Sequence, residues 1–144
     1  MFDYMPWWDK ETRQFADEVE EFVDEELVPR MQAIMERNED PMKIQWDASK
    51  LCVERGFHPL MVLAEEEFGG RDKGYAGYTI LNEEIGRSNI NVNPLLTSVF
   101  GAGPIHLFGT KSQKQKFLKP IVKGEKWASI TVTEPDVGND ASGI

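Results

Sequence analysis

The chain has 144 residues, a formal net charge of −9, 40% hydrophobic residues and one cysteine. This length and apolar content suit one folded domain with a real core and argue against disorder. The acidic balance argues against a nucleic-acid-binding protein. No apolar run approaches the roughly 20 residues of a membrane span. The N-terminus does not resemble a signal peptide, and the lone Cys52 excludes an internal disulfide, so we expect a soluble, cytoplasmic protein.

Charge is distributed unevenly along the chain. Residues 1–70 carry 18 acidic and 7 basic side chains, whereas residues 71–144 carry 7 and 9. The acidic residues concentrate in the stretch 17–26, and the lysines concentrate in the stretch 111–126. A solvated helix face is the expected role of each stretch, with an anion-attracting surface as the alternative for the lysines.

Hydrophobic periodicity predicts helices in the first part of the chain. Apolar residues recur at helical spacing over 15–27, after Asp9 as a suitable N-cap, and Pro29 predicts a break or kink. A short helical face continues over 31–35. The second helix is expected from 41 to 56.

The middle of the chain alternates connectors with helices. Residues 57–63 form an apolar connector that leads into an acidic, glycine-containing turn at 65–70. A third helix is predicted over 75–85, with Gly86 at its C-terminal end. A fourth helix is expected over 94–107.

Two features distinguish the last two helices. Gly101 and Gly103 in the fourth helix predict close packing or a kink. The fifth helix is expected over 112–122, with Phe117 and Leu118 directed inward.

The periodicity changes from helical to alternating at residues 127–133. Ile130 and Val132 lie on one face of this segment, and Thr131 and Thr133 lie on the other. The pattern predicts a β-strand that is followed by a turn with Pro, Gly, Asn and Asp.

The predicted fold class is therefore mainly α, followed by the first strand of a β domain. We place an all-α domain at residues 1–126 and the first strand and turn of a truncated β domain at 127–144.

Several familiar sites are not supported by the sequence. His58 and His106 are far apart without a carboxylate or thiol at ligand spacing, so we expect packed or hydrogen-bonded histidines and no metal site. Residues 109–112 resemble only half of a phosphate loop, and 101–103 lack the third glycine of a dinucleotide fingerprint.

The terminal strand and turn are the best candidate for a ligand site. Thr131 and Thr133 place hydroxyls beside exposed backbone amides, which suits a planar heteroaromatic ligand. Gly138 has no side chain to block a phosphate, and Asn139 can donate a hydrogen bond to one. An ordinary strand with an Asp/Gly turn is the alternative interpretation.

A resemblance to a known family favours the ligand site. Residues 132–140, VTEPDVGND, resemble the flavin-binding signature of the acyl-CoA dehydrogenase family. Three further segments resemble family motifs in the same order: EEFGG at 66–70, EEIGR at 83–87 and GTKSQKQKFL at 109–118. The resemblance covers roughly residues 9–144.

The resemblance implies a fold, an activity and partners. Family members have an N-terminal helical domain, a central β domain and a C-terminal four-helix bundle. They use FAD to remove a proton and a hydride from an acyl-CoA thioester. The family resemblance further implies an electron-transferring flavoprotein as electron acceptor and a homo-oligomer (tetramer) or hetero-oligomer.

The resemblance also implies which residues contact the cofactor. Val132 and Thr133 correspond to residues that hydrogen-bond the flavin ring, and the backbone of Ile130 corresponds to one that meets its pyrimidine end. Gly138 and Asn139 correspond to the turn near the FAD pyrophosphate and the CoA portion of the substrate.

Leu96, Val99 and Phe100 correspond to the wall of the acyl pocket, and Asn139 also corresponds to a substrate contact. The bulky Phe100 predicts a short or differently shaped pocket. The family's catalytic glutamate corresponds to no residue of this chain, so we expect no catalytic residue here and no activity from this chain alone.

Two alternatives to a dehydrogenase remain open on the sequence. The chain could be a non-catalytic subunit or assembly module, or it could belong to an acyl-CoA oxidase or related flavin oxidase.

Overall fold

The structure is a computed structural model that describes residues 5–37, 39–140 and 142. It is mainly helical, with 66% of residues in helices, as the sequence predicts. None of the described helices is long and apolar enough to span a membrane. The α-helices, in chain order, are α1 (Lys10–Phe22), α2 (Val28–Met35), α3 (Pro41–Glu54), α4 (Pro59–Leu63), α5 (Gly74–Arg87), α6 (Asn93–Phe108), α7 (Lys111–Gln113) and α8 (Lys119–Val122).

Side-chain caps explain why several of these helices begin where they do. The Asp9 carboxylate accepts a hydrogen bond from the Thr12 N–H at 2.7 Å, which confirms the predicted cap of α1. This bond lowers the pKa of Asp9. Asp40 caps α3 in the same way, and Thr110 forms a reciprocal capping box with Gln113 at the start of α7.

Two π-helical turns join pairs of α-helices without a break. One, Val23–Leu27, connects α1 to α2, and the other, Lys114–Leu118, connects α7 to α8. Each lies just before a proline, Pro29 or Pro120, which cannot donate a backbone hydrogen bond. Because a π turn contains one extra residue, it accommodates the missing donor. The break or kink expected at Pro29 is therefore a π turn within a continuous helical stretch.

The third predicted helix continues past its expected end. Gly86 lies inside α5, which runs to Arg87. Asn89, with φ +57°, adopts the left-handed conformation after the helix. Asparagine can stop a helix in this way because its short polar side chain tolerates that conformation.

The apolar segment 57–63, which we expected to be a connector, contains the short helix α4. Pro59, Leu60, Val62 and Leu63 are all buried. A helix that is buried on all sides has no polar face, and it therefore lacks the periodicity by which an amphipathic helix is recognised.

The last helix does not bury both predicted residues. Leu118 is fully buried, as predicted, but the prediction for Phe117 is wrong, because 46% of its surface is exposed. Both residues lie in the π turn, where the extra residue rotates the side chains relative to a regular α-helix. The α-helical spacing used for the prediction does not hold there.

Two hydrophobic clusters form the core. The larger lies among α1, α3 and α5 and includes Phe15, Val19, Ile44, Cys52 and Leu81. The smaller lies between α4, α6 and the last helix, and its buried members are Leu60, Ala64, Phe68, Ala102, Leu118, Ile121 and Val122. The second cluster holds α6 in place, and α6 in turn contacts the terminal segment.

The terminal segment, residues 127–140, contains no β-strand in the structure. Residues 127–133 lie without strand pairing, and an isolated bridge joins Glu134 to Val137. A strand exists only when a neighbouring segment pairs with it, and no described segment does so here. The predicted strand is therefore not formed in this chain alone.

Candidate functional site at helix α6 and the terminal segment

Close backbone contact joins α6 to the start of the terminal segment. A Cβ atom added at Gly101 would lie 2.7 Å from the Ser129 nitrogen and 2.8 Å from its oxygen. One turn away, the Ser98 hydroxyl accepts a hydrogen bond from the Ala128 N–H at 3.3 Å. The close packing predicted at Gly101 is thus confirmed, whereas a Cβ at Gly103 would meet nothing within 4 Å.

Trp127 fixes the same segment against two other helices. Its ring packs edge-to-face against Trp46 of α3, with ring centroids 5.7 Å apart. On another side it lies 6.4 Å from the ring of His58, the N-cap of α4. The first three residues of the terminal segment are thereby held by α3, α4 and α6.

His58 is a buried structural residue, as the sequence predicts. Its Nδ1 accepts the Leu60 N–H at 3.0 Å, and no atom of its side chain is exposed. Burial lowers its pKa to about 4, so the ring is neutral at neutral pH. Because Nδ1 accepts a bond, the ring proton lies on Nε2.

His106 has a different environment. Its Nδ1 lies 3.4 Å from a carboxylate oxygen of Glu65, whose other oxygen accepts a 2.6 Å bond from Lys114. Partial burial opposes ionisation of Glu65, but the bond and charge of Lys114 outweigh it and lower the pKa of this carboxyl. The described residues contain no group of three or more potential metal ligands.

A cleft of about 600 Å³ lies beside these contacts. It is open to solvent and is bordered by α3, by α6 with the residues before it, and by the first part of the terminal segment. Its lining residues are Met42, Gln45, Trp46, Asn91, Thr97, Trp127, Ala128 and Ser129.

The residues predicted to contact the flavin come directly after the cleft-lining Ser129 in the sequence, and they are accessible to solvent. Ile130 is 52% exposed and Val132 is 46% exposed, and Thr133 and Asn139 are exposed as well. A Cβ at Gly138 would meet nothing within 4 Å. Residues 130–139 are therefore held only at their N-terminal end, by the contacts of residues 127–129, and the described residues leave them exposed.

The predicted acyl-pocket residues lie on α6 beside this contact. Val99 is half-buried against the smaller hydrophobic cluster, whereas Phe100 is 65% exposed. The side chain of Leu96 lies outside the described part of the structure. Phe100 precedes Gly101, and Ile130 follows Ser129, so α6 brings the two predicted sets into adjacent positions.

Several carboxylates of the acidic motifs at 66–70 and 83–87 form ion pairs with neighbouring cations. Glu67 lies 2.6 Å from Lys111, and the fully buried Glu84 accepts a 2.7 Å bond from Arg87. Arg87 also forms an ion pair with Asp24 at 2.8 Å, which ties α5 to the first π turn. These contacts favour structural roles for the acidic motifs.

Comparison with known proteins now identifies the family. Residues 9–125 match the family model described as acyl-CoA dehydrogenase, N-terminal domain. The chain therefore belongs to the acyl-CoA dehydrogenase family, which confirms the resemblance seen in the sequence.

Relatives and solved structures agree with this assignment. The chain is 29% identical to the probable acyl-CoA dehydrogenase YngJ of Bacillus subtilis (strain 168), over 93% of this chain and 34% of that protein. The acyl-CoA dehydrogenase of Bacillus anthracis complexed with FAD matches 97% of this chain and 23% of its own, at 26% identity and a TM-score of 0.71. A structure described as the electron transferring flavoprotein of Acidaminococcus fermentans matches 94% of this chain and 34% of its own, at 31% identity and a TM-score of 0.70. This chain spans about one third of the length of the curated relatives it matches.

Sequence reasoning missed the residues that anchor the terminal segment. Neither Ser98 nor Trp46 was predicted to contact the terminal segment, because a serine or tryptophan within a helical pattern carries no signal of a distant contact. Only the small residue at Gly101 indicated that another backbone approaches α6.

Proposed function

We propose that this chain supplies the N-terminal helical domain and one wall of the cofactor site of an FAD-dependent acyl-CoA dehydrogenase. The observation that carries the proposal is the packing of Gly101 on Ser129, which fixes α6 beside the start of the flavin-signature segment. Membership of the family and the FAD complex of the Bacillus anthracis relative support it.

The residues present fit an isoalloxazine ring and a phosphate. Among the described residues, the backbone groups of 130–133 form no hydrogen bond with other backbone groups, so their donors and acceptors are available to a ligand. Space is open around Gly138, where a side chain would hinder a pyrophosphate. We assign Ile130, Val132 and Thr133 to the ring, and we assign Gly138 and Asn139 to the phosphates and CoA.

The chemistry of the whole enzyme follows from this assignment. When bound, FAD would accept the hydride that leaves the β-carbon of the acyl-CoA thioester. Thr133 orients and polarises the ring by hydrogen bonding, an electrostatic role. The base that removes the α-proton lies outside this chain, in agreement with the ion-paired state of Glu65, Glu67 and Glu84.

An electron-transferring flavoprotein is the proposed electron acceptor. The structural match to the Acidaminococcus fermentans protein supports this choice. We also propose an oligomeric enzyme, with the exposed Phe108 and Phe117 as apolar surface available for burial. The cytoplasm is the proposed compartment, since the single cysteine, Cys52, is free and buried, as is usual for proteins of a reducing compartment.

FAD titration of the purified chain, followed by flavin fluorescence, tests the cofactor assignment. Saturable binding should weaken about tenfold in Thr133→Ala, because one hydrogen bond is lost. Thr79→Ala, on the exposed face of α5, is the matched control and should bind as the wild type does. Binding that does not depend on Thr133 would contradict the assignment.

A non-catalytic assembly module is the second candidate, because ion pairs already engage several of this chain's carboxylates. A hybrid distinguishes it, in which this chain replaces the aligned region of the Bacillus subtilis relative. A dehydrogenase domain should give a yellow protein that reduces a dye when acyl-CoA is added. A hybrid that is yellow but does not react with acyl-CoA would favour the assembly module.

A further inference from the structure

Three consecutive residues attach the terminal segment to the helices before it. Ser129 lies against Gly101, and the Ala128 N–H donates a hydrogen bond to the Ser98 hydroxyl at 3.3 Å. Both contacts are made with α6, and their helix residues lie within one turn of each other. A segment that is held by one turn of one helix can pivot about that turn. The direction of the segment therefore depends on the third contact, which Trp127 makes.

The ring of Trp127 adds two further helices to the attachment. It packs edge-to-face on Trp46 of α3, with 5.7 Å between the ring centroids and 83° between the ring planes. The ring of His58, at the start of α4, lies 6.4 Å away. His58 is fully buried, whereas Trp127 is 40% exposed, so a ring fixed in the interior lies beside one at the surface. Trp127 thus connects the segment to α3 and α4.

Open space beside the segment gives this ring a specific task. The cleft of about 600 Å³ is lined by Trp127, Ala128 and Ser129 on one border and by α3 on another. Because the cleft is open to solvent, it does not oppose a swing of the segment away from α6. Movement toward α6 is already opposed by the close contact of Ser129 with Gly101. Packing of Trp127 on Trp46 limits movement in the other direction.

A small rotation at the attachment becomes a large displacement at the proposed flavin contacts. In an extended conformation, the path from Ser129 to Thr133 covers on the order of 13 Å. A rotation of about 10° at Ser129 therefore moves Thr133 by roughly 2 Å over that length. A displacement of about 1 Å can reduce the rate of an enzyme on the order of 100-fold. The direction of the segment is thus as important to the site as the identity of its side chains.

We propose that Trp127 is a positioning residue for the flavin. Through its packing on Trp46 and His58, it sets the angle at which residues 130–133 meet the ring. The inference rests on the proposed function, which assigns residues of that stretch to the flavin. It gives α3 and α4, which contain none of the proposed cofactor contacts, an influence on the geometry of hydride transfer.

The direction of the segment is measured first in the chain without FAD. Pulsed EPR gives the distance between nitroxide labels at Thr79→Cys and Thr131→Cys, two exposed positions, and the native Cys52 is buried. Trp127→Ala should shift and broaden the distance distribution, and Trp127→Phe, which keeps an aromatic ring, should restore most of it. Trp7→Ala, the same change at a residue that is 73% exposed, should leave the distribution unchanged. An unchanged distribution in Trp127→Ala overturns the inference.

FAD binding then tests the effect on the cofactor. Trp127→Ala should weaken binding about tenfold, the upper range for an aromatic pair, and should change the visible circular dichroism of the flavin at saturating FAD. Trp127→Phe should restore both. A merely structural residue would lower the free energy of unfolding without changing the spectrum of the saturated protein, so an unchanged spectrum overturns the inference. If Trp127→Ala does not fold, Trp46→Leu removes the same ring contact and should have the same effects.

Thr133→Ala in the same samples separates this inference from the proposed function. FAD binding that depends on Thr133 but not on Trp127 overturns the inference alone. Binding that depends on neither residue overturns the proposed flavin contacts and the inference with them. If the chain alone does not bind FAD, the same substitutions in the hybrid with the Bacillus subtilis relative give these readouts.

Discussion

The helical body, residues 10–126, and the terminal segment, residues 127–140, differ in how they are held. The body contains two hydrophobic clusters and several cross-helix ion pairs. The terminal segment is attached at residues 127–129, and most of its remaining side chains are exposed. Stability and the proposed cofactor contacts therefore depend on different residues.

The attachment itself is built from the body. Gly101, Ser98 and Trp46 all belong to helices, and each contacts a residue at the start of the terminal segment. The rigid part of the chain thus determines where the candidate flavin contacts begin. Substitutions in the body, in the junction and in the terminal segment should have separable effects.

The largest expected effect is in the core of the body. Leu81→Ala removes a fully buried side chain and should lower the free energy of unfolding by about 3 kcal/mol. The same change at Leu107, which is 55% exposed, should cost less than about 1 kcal/mol. Urea denaturation measures both. Equal costs would show that the larger cluster is not the centre of stability.

The second prediction concerns pH at the junction. The pKa of His58 is lowered from 6.5 to about 4 by burial, so the unfolded chain takes up a proton that the folded chain does not. The contribution of His58 to stability is complete above pH 6.5 and decreases as the pH falls toward 4, by up to about 3 kcal/mol. His58→Asn keeps a capping side chain and should reduce the change in the free energy of unfolding between pH 6.5 and 4.

Unfolding at several pH values between 7 and 4 compares the two proteins. The difference between wild type and His58→Asn isolates the histidine from carboxylates that titrate in the same range. Parallel profiles would contradict a buried, neutral His58.

The third prediction compares two glycines of α6, one at the contact with the terminal segment and one away from it. Gly101→Ala places a methyl group against the Ser129 backbone and should destabilise the protein by about 2 kcal/mol while weakening FAD binding. Gly103→Ala, in the same helix with open space around it, should stabilise by about 0.5 kcal/mol. Thermal unfolding and FAD titration of both variants measure this contrast. Similar behaviour of the two variants would show that α6 does not support the segment.

The smallest expected effect lies at a helix end of the body. Thr110→Ala removes one half of the capping box at α7 and should cost about 1 kcal/mol. Thr79→Ala removes a hydroxyl that bonds to the carbonyl of Tyr75 within α5, and it should be nearly neutral. Urea denaturation compares the two. FAD binding should be unchanged in both, because neither residue touches the terminal segment.

The sequence predicted those parts of the fold that local chemistry determines. The Asp9 cap and the inward face beginning at Phe15 are encoded within one or two turns, and the structure confirms them. The π turn at 114–118 was not predictable from a 3.6-residue period, and this is why Phe117 was placed inward. Helix α4 escaped prediction because it is apolar on every side.

The candidate site was predictable only in part. The motif at residues 132–140 predicts a flavin-binding segment, and this stays a prediction. Gly101 indicated that a backbone approaches α6, and the structure confirms it. Pairing of residues 127–133 as a strand requires a partner segment, and none of the described residues provides one. The cleft at Trp46 and Trp127 depends on residues far apart in the chain, which periodicity cannot bring together.

Backbone amide NMR of the ¹⁵N-labelled chain during FAD titration tests whether the terminal segment faces the flavin. We expect shifts concentrated at Ile130, Val132, Thr133 and Gly138, with the amides of α1 and α5 unchanged. Shifts centred on the helical body, with the terminal segment unaffected, would contradict the assignment of this segment as the flavin-facing wall.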